Sequence, residues 1–250
     1  MSDNDFFVGW AEQLPKADRR SFVGIGLTLV AGCAGLGAGI AVNQREPSPG
    51  GWDLANEREW TGVVTASPYA ILRTRDPEGE PRTILLACEG KCGVAASISA
   101  FDGKVVTVRG TLIERGPHAM IAASTATDWI TVSDTATDTG LAFSPPTALT
   151  RATLDGEILD TKCWFGAMNP NAGIPHKACA ALCIRGGIPP AFYVKDPADQ
   201  SALLLLTEQG RPFGKDLLPL VADAVRIEGT LQRADDLLIF DTSLEQIRRL

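Results

Sequence analysis

Val106-Thr107-Val108-Arg109-Gly110-Thr111-Leu112 in the first half of the chain reappears as Val225-Arg226-Ile227-Glu228-Gly229-Thr230-Leu231 in the second. Alternation of apolar and polar residues reads as a β-strand with one buried face, and the glycine marks a bend or bulge. The offset between the copies is 119 residues. At the same offset Ile84-Leu85-Leu86 and Glu89 match Leu203-Leu204-Leu205 and Glu208. The chain is therefore expected to be mainly β, with two small OB-like β-barrel domains at residues 58–135 and 150–250. Short strands are expected at 59–66, 70–75, 83–87, 104–113, 119–123 and 129–132, then at 152–160, 191–194, 203–207, 224–232 and 237–241. A short helix is expected before the fourth strand of each half, near 94–101 and 215–221, and a last helical turn at the C-terminus. Five or six short strands closing on a glycine-kinked one suit a small barrel.

The repeat also locates an interruption. Gly62 and Gly156 occupy equivalent places in the first strand of each half, yet they are only 94 residues apart. The missing 25 residues are an insertion between the first two strands of the second barrel, over residues 161–190. Insertions on a rigid barrel are where function concentrates.

That insertion reads Cys163-Trp-Phe-Gly-Ala-Met168-Asn-Pro-Asn-Ala-Gly-Ile-Pro-His176-Lys-Ala-Cys179-Ala-Ala-Leu-Cys183-Ile-Arg-Gly-Gly-Ile-Pro-Pro190. His176, Cys179 and Cys183 share a face if 176–185 is helical, and Cys163 closes the set from the other end. A Cys3His set suits zinc. Thiolates with His176 and Met168 would also suit copper. The alternative is a disulfide from Cys163 to Cys179 or Cys183. Closing a loop of about 16–20 residues is worth roughly 3 kcal/mol in the chain-entropy account. Cys88 and Cys92 flank Glu-Gly-Lys and form a second disulfide candidate, with Gly90 allowing the tight turn. Five cysteines lie beyond residue 43, so two disulfides among them leave one thiol over. Arg185-Gly186-Gly187 with the two prolines reads as a loop exit, and His118 as an exposed hairpin tip.

Residues 21–42 carry no charge. Twenty-two helical residues span about 33 Å, against a bilayer core of about 30 Å, so a transmembrane helix is expected there. Lys16, Arg19 and Arg20 precede it, which places residues 1–20 in the cytoplasm and the bulk of the chain in the periplasm, as a single-pass protein of a bacterial inner membrane. Ala31, Gly35 and Gly39 recur every four residues, a helix-packing stripe through which integral membrane subunits would be bound. Residues 43–57 are expected to be a linker.

The Phe6-Phe7-x-Gly9-Trp10 start, one apolar helix, Pro68-Tyr69, and the motif Cys163-Trp-x-Gly-x-Met168 … His176-x-x-Cys179-Ala-x-x-Cys183-Ile-x-Gly-Gly-Ile-Pro-Pro together resemble a family of bacterial single-pass membrane proteins. The resemblance covers most of the chain, leaves out the Cys88/Cys92 pair, and implies topology without an activity.

A net charge of −7 and the lack of a basic stripe argue against a nucleic-acid partner. G-x-S-x-G, H-E-x-x-H, C-x-x-C and Walker loops are absent, so the chain is not expected to be an enzyme. These features suggest an accessory subunit of a respiratory or other electron-transfer membrane complex, its acidic surface suited to a soluble electron carrier. The alternative is a metal-binding protein that holds copper or zinc on the Cys/His loop, with delivery to an oxidase as one use.

Overall fold

The computed structural model describes residues 16–43, 50–135, 138–195 and 201–250. The chain divides into two compact units, 1–46 and 47–250.

In the first unit α1 runs Lys16–Asn43. Among the described residues no helix is long and apolar enough to cross a membrane. Lys16, Asp18, Arg19 and Arg20 charge its first turns, and Ser21, Thr28 and the repeated Gly and Ala residues dilute the apolar character of the remainder. Small and hydroxyl side chains contribute little transfer energy, so an uncharged run is not thereby a strongly apolar one. The transmembrane helix expected at 21–42 is corrected on this finding, and with it the single-pass inner-membrane placement. Ala31 and Gly35 are exposed, with open space where a Gly35 side chain would stand. The side chain at position 39, the aromatic start at 6–10 and most of the proposed cytoplasmic segment lie outside the described residues.

The second unit carries the two barrels. The first is built from β1 (Gly51–Thr65), β2 (Ile71–Arg75), β3 (Pro81–Cys88), β4 (Val105–Arg115), β5 (His118–Ala123) and the edge strand β6 (Ile130–Val132), with a short helix α2 (Ala95–Ile98) between β3 and β4. The order β1-β2-β3-β5-β4 closes by pairing β1 with β4, and β3 runs parallel to β5. The second barrel repeats this with β7 (Thr147–Asp160), β8 (Pro190–Lys195), β9 (Ser201–Thr207), β10 (Ala224–Ala234), β11 (Leu237–Asp241) and β12 (Ile247–Arg249). Here β10 pairs with both β7 and β11, and β9 runs parallel to β11. A 3-10 turn at Lys215–Leu220 takes the place of α2. The expected final helical turn is a 3-10 turn at Leu244–Gln246, followed by β12.

The repeat read from the sequence is physical. Val106 and Val108 in β4, and Val225 and Ile227 in β10, are all fully buried. Gly62 pairs with Val106 and Gly156 with Val225. A Cβ on Gly62 would stand 2.2 Å from the Arg73 carbonyl oxygen, and one on Gly156 2.3 Å from that of Tyr193. These two positions are glycine because the neighbouring strand crosses too close for any side chain. The supposed linker is corrected at its C-terminal end, since residues 51–57 already belong to β1.

Each barrel has its own core, and a third core joins them. The last gathers Tyr69, Ile71, Leu85 and Met120 from the first barrel with Leu203, Leu205 and Ile239 from the second, plus Trp164 and Phe165 from the insertion. Polar ties flank it: the Tyr69 hydroxyl donates to the Leu206 carbonyl, Arg73 pairs with Asp235, and the Thr83 N–H donates to Asp236 at 2.9 Å.

Replacing Gly156 by Ala should cost about 2 kcal/mol, the scale of core overpacking. The check is a lowered urea midpoint at unchanged slope.

Candidate functional site: three thiols under a lysine

The insertion leaves the second barrel at Asp160 and returns at Pro190, whose backbones are paired. Thr161 closes its base by donating its N–H and its hydroxyl to the Pro189 carbonyl, at 3.2 and 3.0 Å. Cys163–Ala167 then forms one π-type turn, with Trp164 and Phe165 buried in the joint core. Past a 3-10 turn at Ile174–His176, α3 runs Lys177–Arg185. Its Ala-rich composition favours a helix, and Gly186, Gly187 and the prolines beyond end it.

Helical spacing gives α3 two working faces. Ala180 and Ile184 enter the second barrel's core. Cys179 and Cys183, also four apart, turn toward the π turn and meet Cys163. Cys163 Sγ lies 3.8 Å from Cys179 Sγ and 4.0 Å from Cys183 Sγ. All three are free thiols, so the disulfide staple considered for this loop is not formed. The expected pair Cys88–Cys92 is the one that is bonded.

His176 is buried and sits with Cys163, but on its other side. Its Nε2 is 2.9 Å from Asp160 Oδ2, while Asp160 Oδ1 accepts the Cys163 N–H at 2.8 Å. Asp160, Cys163 and His176 thus form a second group that could hold an ion, overlapping the first at Cys163. The four residues expected as one tetrahedral set are instead a thiol trio with a His–Asp pair behind one member. Met168 is largely exposed and stands at the extended end of the π turn.

Two lysines complete the site, and neither was singled out from the sequence. Lys91 lies inside the Cys88–Cys92 loop of the first barrel. Its Nζ is 2.7 Å from Cys179 Sγ and 3.8 Å from Cys183 Sγ. Lys162 is buried, and its ammonium donates to three consecutive carbonyls of that loop, Cys88, Glu89 and Gly90, at 2.5, 2.7 and 2.9 Å. It also stands 4.8 Å above the Trp52 ring. The glycines read as a mere loop exit are part of the docking. Gly93 donates its N–H to the Gly186 carbonyl, and a Cβ on Gly93 would meet the Gly187 carbonyl oxygen at 2.2 Å. Adjacency of Lys162 to Cys163, and of Lys91 to Cys92, was the available signal, since basic neighbours favour thiolates.

The electrostatics follow from these contacts. The Cys163 S–H donating to Cys183 holds the Cys183 thiol below its ordinary value, helped by the Lys91 ammonium and opposed by burial. Cys163, as that donor, is pushed up, with burial and Asp160 adding to the effect. The hydrogen bond to Cys179 raises Lys91, and the surrounding sulfurs add to it. Burial pulls Lys162 down to about 8 despite the nearby acids. The cluster therefore favours one thiolate at Cys183 beside a fixed ammonium.

His118 is no exposed tip. It stacks on Phe165 and meets Trp164 edge-on, each at 5.7 Å between ring centres. Burial lowers its affinity for a proton, with Asp236 opposing.

Lys162 supplies a pH test. Between about pH 8 and the ordinary lysine value, the unfolded chain holds a proton that the folded chain has released. Stability from this group therefore rises with pH across that window. Melting curves of the wild type should rise relative to Lys162→Met from pH 8 to pH 10; parallel curves would contradict the assignment.

Compared with known proteins, this chain matches no family model, no curated protein and no solved structure.

Proposed function

We propose that the protein binds one soft metal ion, Cu(I) in preference to Zn(II), on the thiolates of Cys163, Cys179 and Cys183. The spacing of the three sulfurs carries this reading. Thiolates that share an ion at about 2.3 Å stand roughly 3.8–4.0 Å apart, and the two measured separations are 3.8 and 4.0 Å. A disulfide would need about 2.0 Å.

Softness of the donors selects Cu(I) or zinc over hard cations. Closed zinc sites take four ligands. The candidate fourth ligand, His176, groups with Asp160 and Cys163 and not with Cys179 and Cys183, which supports the lower coordination number that Cu(I) accepts. Lys91 and Lys162 offset the negative charge that three thiolates would gather. The Asp160–His176 pair is placed to orient Cys163, as outer groups do around bound metals. An accessory subunit anchored in a membrane complex would need the span that is not found among the described residues. Metal binding needs only the insertion and the loop that covers it.

Anaerobic titration of the full-length reduced protein with Cu(I), against a competing chelator, should give one tightly bound equivalent. Cys183→Ser should weaken it by a factor on the order of 100 or more, and His176→Asn by about 10, the scale for an outer-group loss. Absence of binding, or binding indifferent to Cys183→Ser, would end this reading.

A further inference from the structure

Lys91 and Cys179 form the solvent side of the cluster. Lys91 is exposed and Cys179 half-buried, whereas Cys163 and Cys183 are buried. Their separation is unusual. Cys183 Sγ, at 3.8 Å from the lysine nitrogen, is at an ordinary hydrogen-bonding distance for sulfur. Cys179 Sγ, at 2.7 Å, lies well inside the summed van der Waals radii of nitrogen and sulfur. It is the separation that a single oxygen atom would span if bonded to both.

We propose that Lys91 and Cys179 become covalently joined through one oxygen atom, Nζ–O–Sγ, when the protein meets dioxygen.

The two atoms are held for it. The loop bearing Lys91 is closed by the Cys88–Cys92 disulfide, held on three carbonyls by Lys162 and tied to the end of α3 by the Gly93–Gly186 hydrogen bond. Cys179 is fixed on α3 itself. Positioning of this kind turns an encounter between two groups into a unimolecular step. In the reaction the O–O bond breaks and N–O and O–S bonds form. Dioxygen takes four electrons, two from the lysine nitrogen and two from the sulfur. Counted from the neutral amine and thiol, the nitrogen loses one hydrogen and the sulfur one, and both leave with the second oxygen atom as water. Four electrons and four protons from a thiol reductant return the free lysine, the free thiol and a further water. The bridged sulfur has no thiolate left to donate, so the cross-link removes Cys179 from the trio. The inference shares that residue with the metal reading but does not rest on it.

The test uses the full-length protein without added metal. One portion is kept anaerobic without reductant, so that the Cys88–Cys92 disulfide stays closed, and the other is exposed to air; intact masses are measured first, and both portions are then alkylated. The exposed portion should gain one oxygen and lose two hydrogens. It should yield on digestion a linked peptide pair containing Lys91 and Cys179, and it should revert with dithiothreitol. Lys91→Arg keeps the charge and should not form the product. The proposal is overturned if Cys179 remains open to alkylation after exposure, or is found bonded to Cys163 or Cys183. It is equally overturned if the sulfur is oxidised to the same extent in Lys91→Arg. Copper titration of the anaerobic portion tests the metal reading separately, and either can fail alone.

Discussion

Three successive backbone carbonyls, those of Cys88, Glu89 and Gly90, turn inward where the two barrels meet, and one ammonium satisfies all of them. A buried charge is tolerable only when its donors are used, and the Lys162 Nζ has three donors for three acceptors. The benefit is mutual, because the loop would otherwise bury unpaired oxygens and the lysine an unpaired charge. Everything particular to this molecule depends on that clasp. It fixes the loop of one barrel against the insertion of the other, and so sets the Lys91 side chain on the thiols. Burial draws the Lys162 proton affinity down, and the neighbouring thiols and acids oppose it.

The insertion serves two demands with one segment. Trp164 and Phe165 fill the space between the barrels, with His118 and the Arg115 guanidinium packed against them, the latter 4.5 Å from the Trp164 ring centre. The cysteine one residue earlier is thereby buried at the edge of an apolar core. A thiol in such a place is usually inert. Its chemistry is changed by the company of two further thiols and a cation, which let a proton be shared and one sulfur carry the charge. Bulk from the aromatic residues supplies rigidity, and a trio of sulfurs needs rigidity if it is to present a fixed opening to an ion.

The duplicated strand pattern shows how far local rules reach. Val106-x-Val108 and Val225-x-Ile227 point inward as their alternation required, and the 25-residue surplus in the second half located the insertion. The Cys88–Cys92 bond was legible because only three residues, Glu89, Gly90 and Lys91, separate the two cysteines. Reading residues 21–42 as a membrane span failed for a definable reason. Lys16, Asp18, Arg19 and Arg20 belong to the same helix as the uncharged run, and among the described residues that helix is not long and apolar enough to cross a membrane.

By itself the sequence determined the repeat, the pair of small β units that the repeat implies, and the inserted segment that carries the three thiols. These depend on periodicities of two and of about four residues, which any stretch of chain displays locally. Only the tertiary structure decided that the thiols stay unpaired, that His176 faces Asp160, and that Lys91 and Lys162 cross from opposite sides of the barrel junction. The lysine contacts join residues some 70 to 90 positions apart, and the thiol and His176–Asp160 contacts join the two ends of the insertion, 16 to 20 positions apart. No local spacing encodes them, because they exist only where the two barrels and the insertion pack together.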